Sequence, residues 1–219
     1  MIRRHFILLG CLLTQAARSA QPTPTAAPSK AGAKPKTILV LGDSLSAEYG
    51  LARGTGWVAL LQKRLAADRI AATVQNASIS GETTAGGLSR LPTLLERDKP
   101  AIVVIELGAN DALRGLSLAA TRDNLSRMTL LAERAGAKVL LLGMQVPPNY
   151  GGDYTRRFAA LYGEVARADH AALVPFFLAG VADAPNAAEL FQSDRIHPTA
   201  AAHPTLLANV WPELRKLLR

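Results

Sequence analysis

The amino-acid sequence predicts a doubly wound α/β domain. Five short apolar runs recur along the chain, and longer segments of helical period separate them, the pattern of parallel strands covered by helices. Size agrees: 219 residues, 49% of them hydrophobic, can bury one sizeable core.

The first run, Thr37 to Leu41, has the β-branched and apolar composition of a strand buried on both faces. Trp57, Leu60, Leu61 and Leu65 then share a helix face, and Thr73 to Ala77 is the second strand. A helical segment interrupted by Pro92 leads to the third strand, Ala101 to Leu107. Leu125, Met128 and Ala132 form the next stripe before a helix-ending Gly136, and Lys138 to Gly143 is the fourth strand. Phe158, Leu161, Tyr162 and Val165 make a third stripe, and Leu173 to Phe176 reads as a weaker fifth strand. Leu206, Val210, Leu214 and Leu217 make the last stripe, with Pro204 suited to its first turn. Pro92 and Pro212 are expected to kink or break their helices. No internal repeat is present.

Residues 1–20 stand apart. Arg3-Arg4-His5, the apolar stretch Phe6 to Leu13 and small residues at Ala16, Ala17, Ser19 and Ala20 read as a secretory signal peptide, cleaved after Ser19 or Ala20. The apolar stretch is shorter than the roughly 20 residues that span a bilayer, and no later segment is long and apolar enough to do so, so no stable membrane insertion is expected. Cys11, the single cysteine, lies in this leader, and an exported mature chain carries no thiol. Leu8-Leu9-Gly10-Cys11 resembles a lipoprotein attachment box, but Leu12-Leu13 continue the apolar region past it, which favours a cysteine removed with the leader. Residues 21–36, rich in Pro, Ala, Thr and Lys, read as a flexible linker, leaving 37–219 as the folded domain. The formal charge of +8 falls to +5 without Arg3, Arg4 and Arg18. No basic run with interleaved aromatics points to nucleic acid.

Chemistry is sought just after the strands, because reactive groups in open α/β sheets gather beyond the carboxyl ends. Ser44, in Gly42-Asp43-Ser44-Leu45, follows the first strand and is a candidate nucleophile. A serine hydroxyl needs a base, an orienting carboxylate and oxyanion donors. His5 lies in the leader, His170 ends a helical stripe and His203 opens the last helix; His197, in Asp194-Arg195-Ile196-His197-Pro198, has an aspartate placed to curl back on its Nδ1 and leave Nε2 free. A loop histidine beside a helix-capping Asp194 also fits this stretch. Gly81 after the second strand and Asn110 after the third suit an oxyanion hole, although a turn glycine and a helix cap at Asn110-Asp111 are the local alternatives.

Gly42-Asp43-Ser44-Leu45, Gly81, Gly108-x-Asn110-Asp111 and Asp194-x-x-His197-Pro198, in this order, resemble the four motif blocks of the SGNH or GDSL hydrolase family. The flanking Asn76-Ala77-Ser78-Ile79-Ser80-Gly81, Glu106-Leu107-Gly108 and Pro148-Asn149-Tyr150-Gly151 resemble its bacterial periplasmic branch of acyl-thioesterases, arylesterases and lysophospholipases. The resemblance implies a three-layer α/β/α fold with a five-stranded parallel sheet in flavodoxin-like order, and no metal or organic cofactor. It implies Ser44 as nucleophile, His197 as base and then acid, Asp194 as orienting carboxylate, and the Ser44 N–H, Gly81 N–H and Asn110 side chain as oxyanion donors. Two positions depart from the pattern: Glu48 stands where relatives often carry glycine and is expected to reshape the substrate entrance, and His203 stands where glutamine is common.

The expected reaction is acyl transfer through an ester on Ser44, with a small-molecule or lipid ester as substrate, no nucleic-acid partner and a monomeric chain. Leu113, Val146 and Pro147, in the loops from Ala109 to Ser117 and Gln145 to Tyr154, are candidate acyl contacts, with core or loop packing as the alternative reading. Export sets the cytoplasmic coenzyme-A pool aside as natural substrate. A deacetylase of envelope polysaccharide and a non-catalytic acyl- or glycan-binding module are the competing functions.

Overall fold

The five apolar runs pair side by side in one all-parallel sheet in the computed structural model, which describes residues 35–219. The expectations for the leader, and for the linker up to residue 34, lie outside the described residues. β1 (Lys36–Gly42), β2 (Ala72–Asn76), β3 (Ile102–Glu106), β4 (Lys138–Leu142) and β5 (Ala172–Val174) stand in the order β2-β1-β3-β4-β5. The flavodoxin-like order expected from the resemblance is present. Burial follows position: every residue of β3 is buried, whereas the edge strand β2 buries only Ala72. That is why β2 can carry Thr73, Gln75 and Asn76, which a strand covered on both faces could not hold without partners.

Helices cover both faces, as three layers require. α1 (Trp57–Ala67) packs on α7 (His203–Leu217) on one side; α2 (Thr84–Asp98), α4 (Leu118–Arg134) and α5 (Gly152–Ala168) pack in succession on the other. Their inward faces are the expected stripes: Leu125, Met128 and Ala132 are buried in α4, and Phe158, Leu161, Tyr162 and Val165 in α5. Trp57 meets Phe177 edge-on at 5.6 Å between ring centroids. Pro204 lies in the first turn of α7, where its missing N–H leaves no bond unmade.

The expected breaks at Pro92 and Pro212 do not occur. α2 and α7 run through them, with both prolines on exposed helix surfaces, where the released carbonyl one turn back can face water. Two short helices, α3 (Ala109–Leu113) and α6 (Ala187–Leu190), escaped the periodicity because a single turn has no measurable period.

Register brings the strand ends together. Gly42 pairs with Glu106 and Val40 with Asn76, so the segments after β1, β2 and β3 leave the sheet at one edge. The chain turns outward in opposite directions from β1 and β3, and the crevice between their ends is the switch point where such sheets bind ligands.

Candidate active site

Ser44 sits on the turn that ends β1, and Ala47 N–H closes that turn onto the Asp43 carbonyl at 3.0 Å. Side-chain contacts hold the turn: Asp43 Oδ1 accepts from Leu45 N–H at 3.0 Å, and Asn76 Nδ2 donates to the Ser46 carbonyl at 2.8 Å. Ser46 Oγ accepts from Trp57 Nε1 at 3.1 Å and donates to Glu106 Oε2 at 2.7 Å. Glu106, at the end of β3, is fully buried and also accepts from Asp43 N–H at 3.3 Å. Desolvation, then the neighbouring Asp43, pushes its carboxyl well above the usual range. Burial likewise raises Asp43, to about 6, against bonds from Leu45 N–H and Asn110 that favour its charge.

His197 comes from a loop far along the chain and meets Ser44, with Nε2 2.8 Å from Oγ. Its Nδ1 is 2.7 Å from Asp194 Oδ2, while Asp194 Oδ1 accepts from Ile196 and His197 N–H at 2.9 and 3.0 Å. The bond from the His197 ring, followed by those two backbone donors, lowers the Asp194 carboxyl to about 2. An ionised Asp194 requires the proton on Nδ1, which leaves Nε2 bare to accept from the Ser44 hydroxyl. The tight turn Asp194–His197 places imidazole and carboxylate together, and Arg195 adopts a positive φ of 57° within it. Tyr49, whose ring centroid lies 4.3 Å from that of His197, backs the imidazole; no spacing rule pointed to it.

Asn110 lies in the first turn of α3. One N–H of its amide donates to Asp43 Oδ2 at 2.8 Å, and the other remains for a ligand. The preceding Gly108 has a φ of 117°, and a β-carbon there would collide with the Tyr162 hydroxyl, which donates to the Leu107 carbonyl at 3.0 Å. Only glycine fits this turn. Gly81 is the third residue of a turn closed by Glu82 N–H on the Ile79 carbonyl at 3.1 Å; its φ of 77° is the requirement of a type II turn.

A cavity of about 450 Å³ opens at Ser44, within the usual range for small-ligand sites. Leu113, Val146 and Pro147 all line it, together with Met144, Phe176 and Leu178, which the sequence reading did not single out. Met144 and Phe176 come shortly after β4 and β5, so the strand-end rule applied to Ser44 would have found them. Glu48 is absent from this lining. Its backbone has the left-handed φ of 59° that explains a glycine preference, and its carboxylate turns back to accept from Gly54 and Gly56 N–H at 3.0 and 2.8 Å. It staples its own loop, and the expected reshaping of the entrance is not found at this cavity.

A family model described as the GDSL-like Lipase/Acylhydrolase family matches residues 40–204, three quarters of the chain. The chain belongs to that family. It is 56% identical over 183 residues to the esterase TesA of Pseudomonas aeruginosa, covering 84% of this chain and 90% of that protein. It is 42% identical to the arylesterase of Vibrio mimicus over 87% of this chain and 94% of that one. With the thioesterase 1/protease 1/lysophospholipase L1 of Escherichia coli K12 it shares 38% identity over 83% and 85% of the two chains. A crystal structure of TesA superposes with a TM-score of 0.80 at 56% identity, covering 83% of this chain and 99% of that one. This GDSL-family protein is an ester-hydrolysing enzyme of the α/β three-layer class.

Proposed function

We propose that the protein is an exported, periplasmic serine hydrolase that cleaves carboxylic esters and thioesters of apolar acyl groups through an acyl-Ser44 intermediate. The 2.8 Å approach of His197 Nε2 to Ser44 Oγ, backed by the Asp194 bond at 2.7 Å, carries the reading. As Ser44 Oγ attacks the carbonyl carbon, His197 Nε2 takes its proton, and Asp194 stabilises the imidazolium that forms. The negative charge on the carbonyl oxygen is met by Ser44 N–H, Gly81 N–H and the free N–H of Asn110. His197 then passes the proton to the departing alcohol or thiol, and a water activated by the same nitrogen releases the acid.

Location and cavity speak to substrate. The leader motif supports export, and exported enzymes meet lysophospholipids and other envelope esters rather than coenzyme-A thioesters. The apolar wall of Leu113, Val146, Pro147 and Met144 suits an acyl chain, and about 450 Å³ exceeds what an acetyl group fills, which favours acyl hydrolysis over polysaccharide deacetylation. A fluorophosphonate probe should label wild type and leave Ser44→Ala unlabelled, and that variant should lose on the order of 10⁴-fold or more of kcat. Hydrolysis measured across acyl lengths should favour chains longer than acetyl. Retained turnover in Ser44→Ala would sink the mechanism.

A further inference from the structure

The short helix α3 supplies more than Asn110. Asp111, buried in the same turn, accepts from Thr84 N–H at 2.8 Å and from the Thr84 hydroxyl, at the start of α2. Arg114, one residue beyond α3, reaches back to the turn that carries Gly81: its Nη2 donates to the Gly81 carbonyl at 2.8 Å. Asp111 and Arg114 thus grip both ends of the segment Gly81–Thr84, while Asn110, next to Asp111 in the same short helix, donates to Asp43. On its other side the Gly81 turn is tied to β1 through Ile79 N–H on the Gly42 carbonyl at 3.0 Å.

We infer that Arg114 is a positioning residue for the oxyanion hole, holding the Gly81 turn at a set distance from Asn110. This rests on the oxyanion assignment made above. Gly81 belongs to an exposed, glycine-containing turn, and a donor group in such a turn is useful only if it does not wander: a preorganised dipole stabilises developing charge without reorganising during the reaction. A cationic side chain on a long stem suits the task because it spans from the end of α3 to the Gly81 turn and presents a charged donor to the carbonyl there. No acidic side chain lies within 4 Å of the Arg114 guanidinium among the described residues, so its one polar partner there is the Gly81 carbonyl. Arg114 is itself exposed and outside the cavity lining, which separates it from substrate contact and from the core.

The test compares Arg114→Met, which keeps the apolar stem and removes the donors, with Arg114→Lys, which keeps a donor of similar reach. Arg114→Met should lower kcat on the order of tenfold with KM little changed, less than the 10²- to 10³-fold expected for removing an oxyanion donor outright. Its affinity for a tetrahedral analogue such as an alkyl boronic acid should fall by the same factor, with thermal midpoint and product binding unchanged. Arg114→Lys should recover most of the loss. Wild-type kcat in Arg114→Met overturns the inference, and so does a loss confined to KM or matched by a lower thermal midpoint. Asn110→Ala, run alongside, isolates the premise: full activity there removes the oxyanion assignment itself, whereas a large loss there with none in Arg114→Met removes only the clamp.

Discussion

Asp43 divides one carboxylate between two neighbours: Oδ1 fixes Leu45 N–H just after Ser44, and Oδ2 fixes the amide of Asn110. An asparagine there offers one acceptor where two donors converge, so its NH₂ group must face a donor. Asp43→Asn should therefore lower kcat about tenfold, as an oxyanion donor loses its orientation, with KM largely preserved. Steady-state kinetics on a neutral short-chain ester checks this, and an unchanged kcat would show that Asn110 is oriented by something else. The residues that act directly on substrate in the proposed mechanism were legible because they sit in short motifs after strands. Their supports were not: Glu106 reads as one acid at the end of an apolar run, and no spacing shows that it meets Asp43 from 63 residues away. Nor does any pattern place Tyr49 against His197.

At the scale of elements, α1 and α7 are joined by a side chain. Gly56 offers α1 no side-chain cap, and the first N–H of the helix, that of Trp57, donates instead to Nδ1 of the buried His203 at 2.9 Å. Burial lowers the His203 pKa, since a proton on the accepting nitrogen would oppose a donor and strand a charge in the core. The unfolded chain thus takes up this proton more readily, and stability falls as pH drops through the unfolded value of about 6.5. A glutamine can present its carbonyl oxygen to the same N–H without titrating. His203→Gln should match wild type at pH 8 and exceed it near pH 5 in urea midpoint; His203→Ala, leaving a buried donor unmet, should cost about 1–3 kcal/mol at both. A glutamine variant with unaltered acid sensitivity would place the titration elsewhere. The helices themselves were visible from their stripes, but their continuity past Pro92 and Pro212 was not, because packing of the inward face outweighs the local penalty of an outward proline.

Across the whole molecule, the buried pair Asp43–Glu106 imposes the opposite pH dependence. Both carboxyls titrate higher folded than unfolded, so their contribution is fully present below pH about 4 and is lost as pH rises, through about 6 for Asp43. Glu106→Gln removes one of these groups while keeping an acceptor for Ser46 Oγ and Asp43 N–H. The stability of the variant relative to wild type should therefore grow from pH 4.5 to pH 8, as measured by urea unfolding. A constant difference would mean that Glu106 does not change protonation on folding. The sheet order and the switch-point location followed from alternating runs and the family resemblance, both of which report on chain path. Protonation states follow from what surrounds a group in three dimensions, and the sequence alone does not carry that.

In the proposed mechanism the nucleophile, Ser44, lies at the end of the first strand, and its base, His197, lies 153 residues later, in a loop that also carries the orienting carboxylate of Asp194. The Asp194–His197 bond is internal to that loop, whereas the contacts of His197 with Ser44 and Tyr49 depend on where the loop docks. On that mechanism Ser44 has no base until nearly the entire polypeptide has been made and docked. Turnover would then report completed folding, because a chain whose sheet has formed without this loop in place lacks the group that activates Ser44.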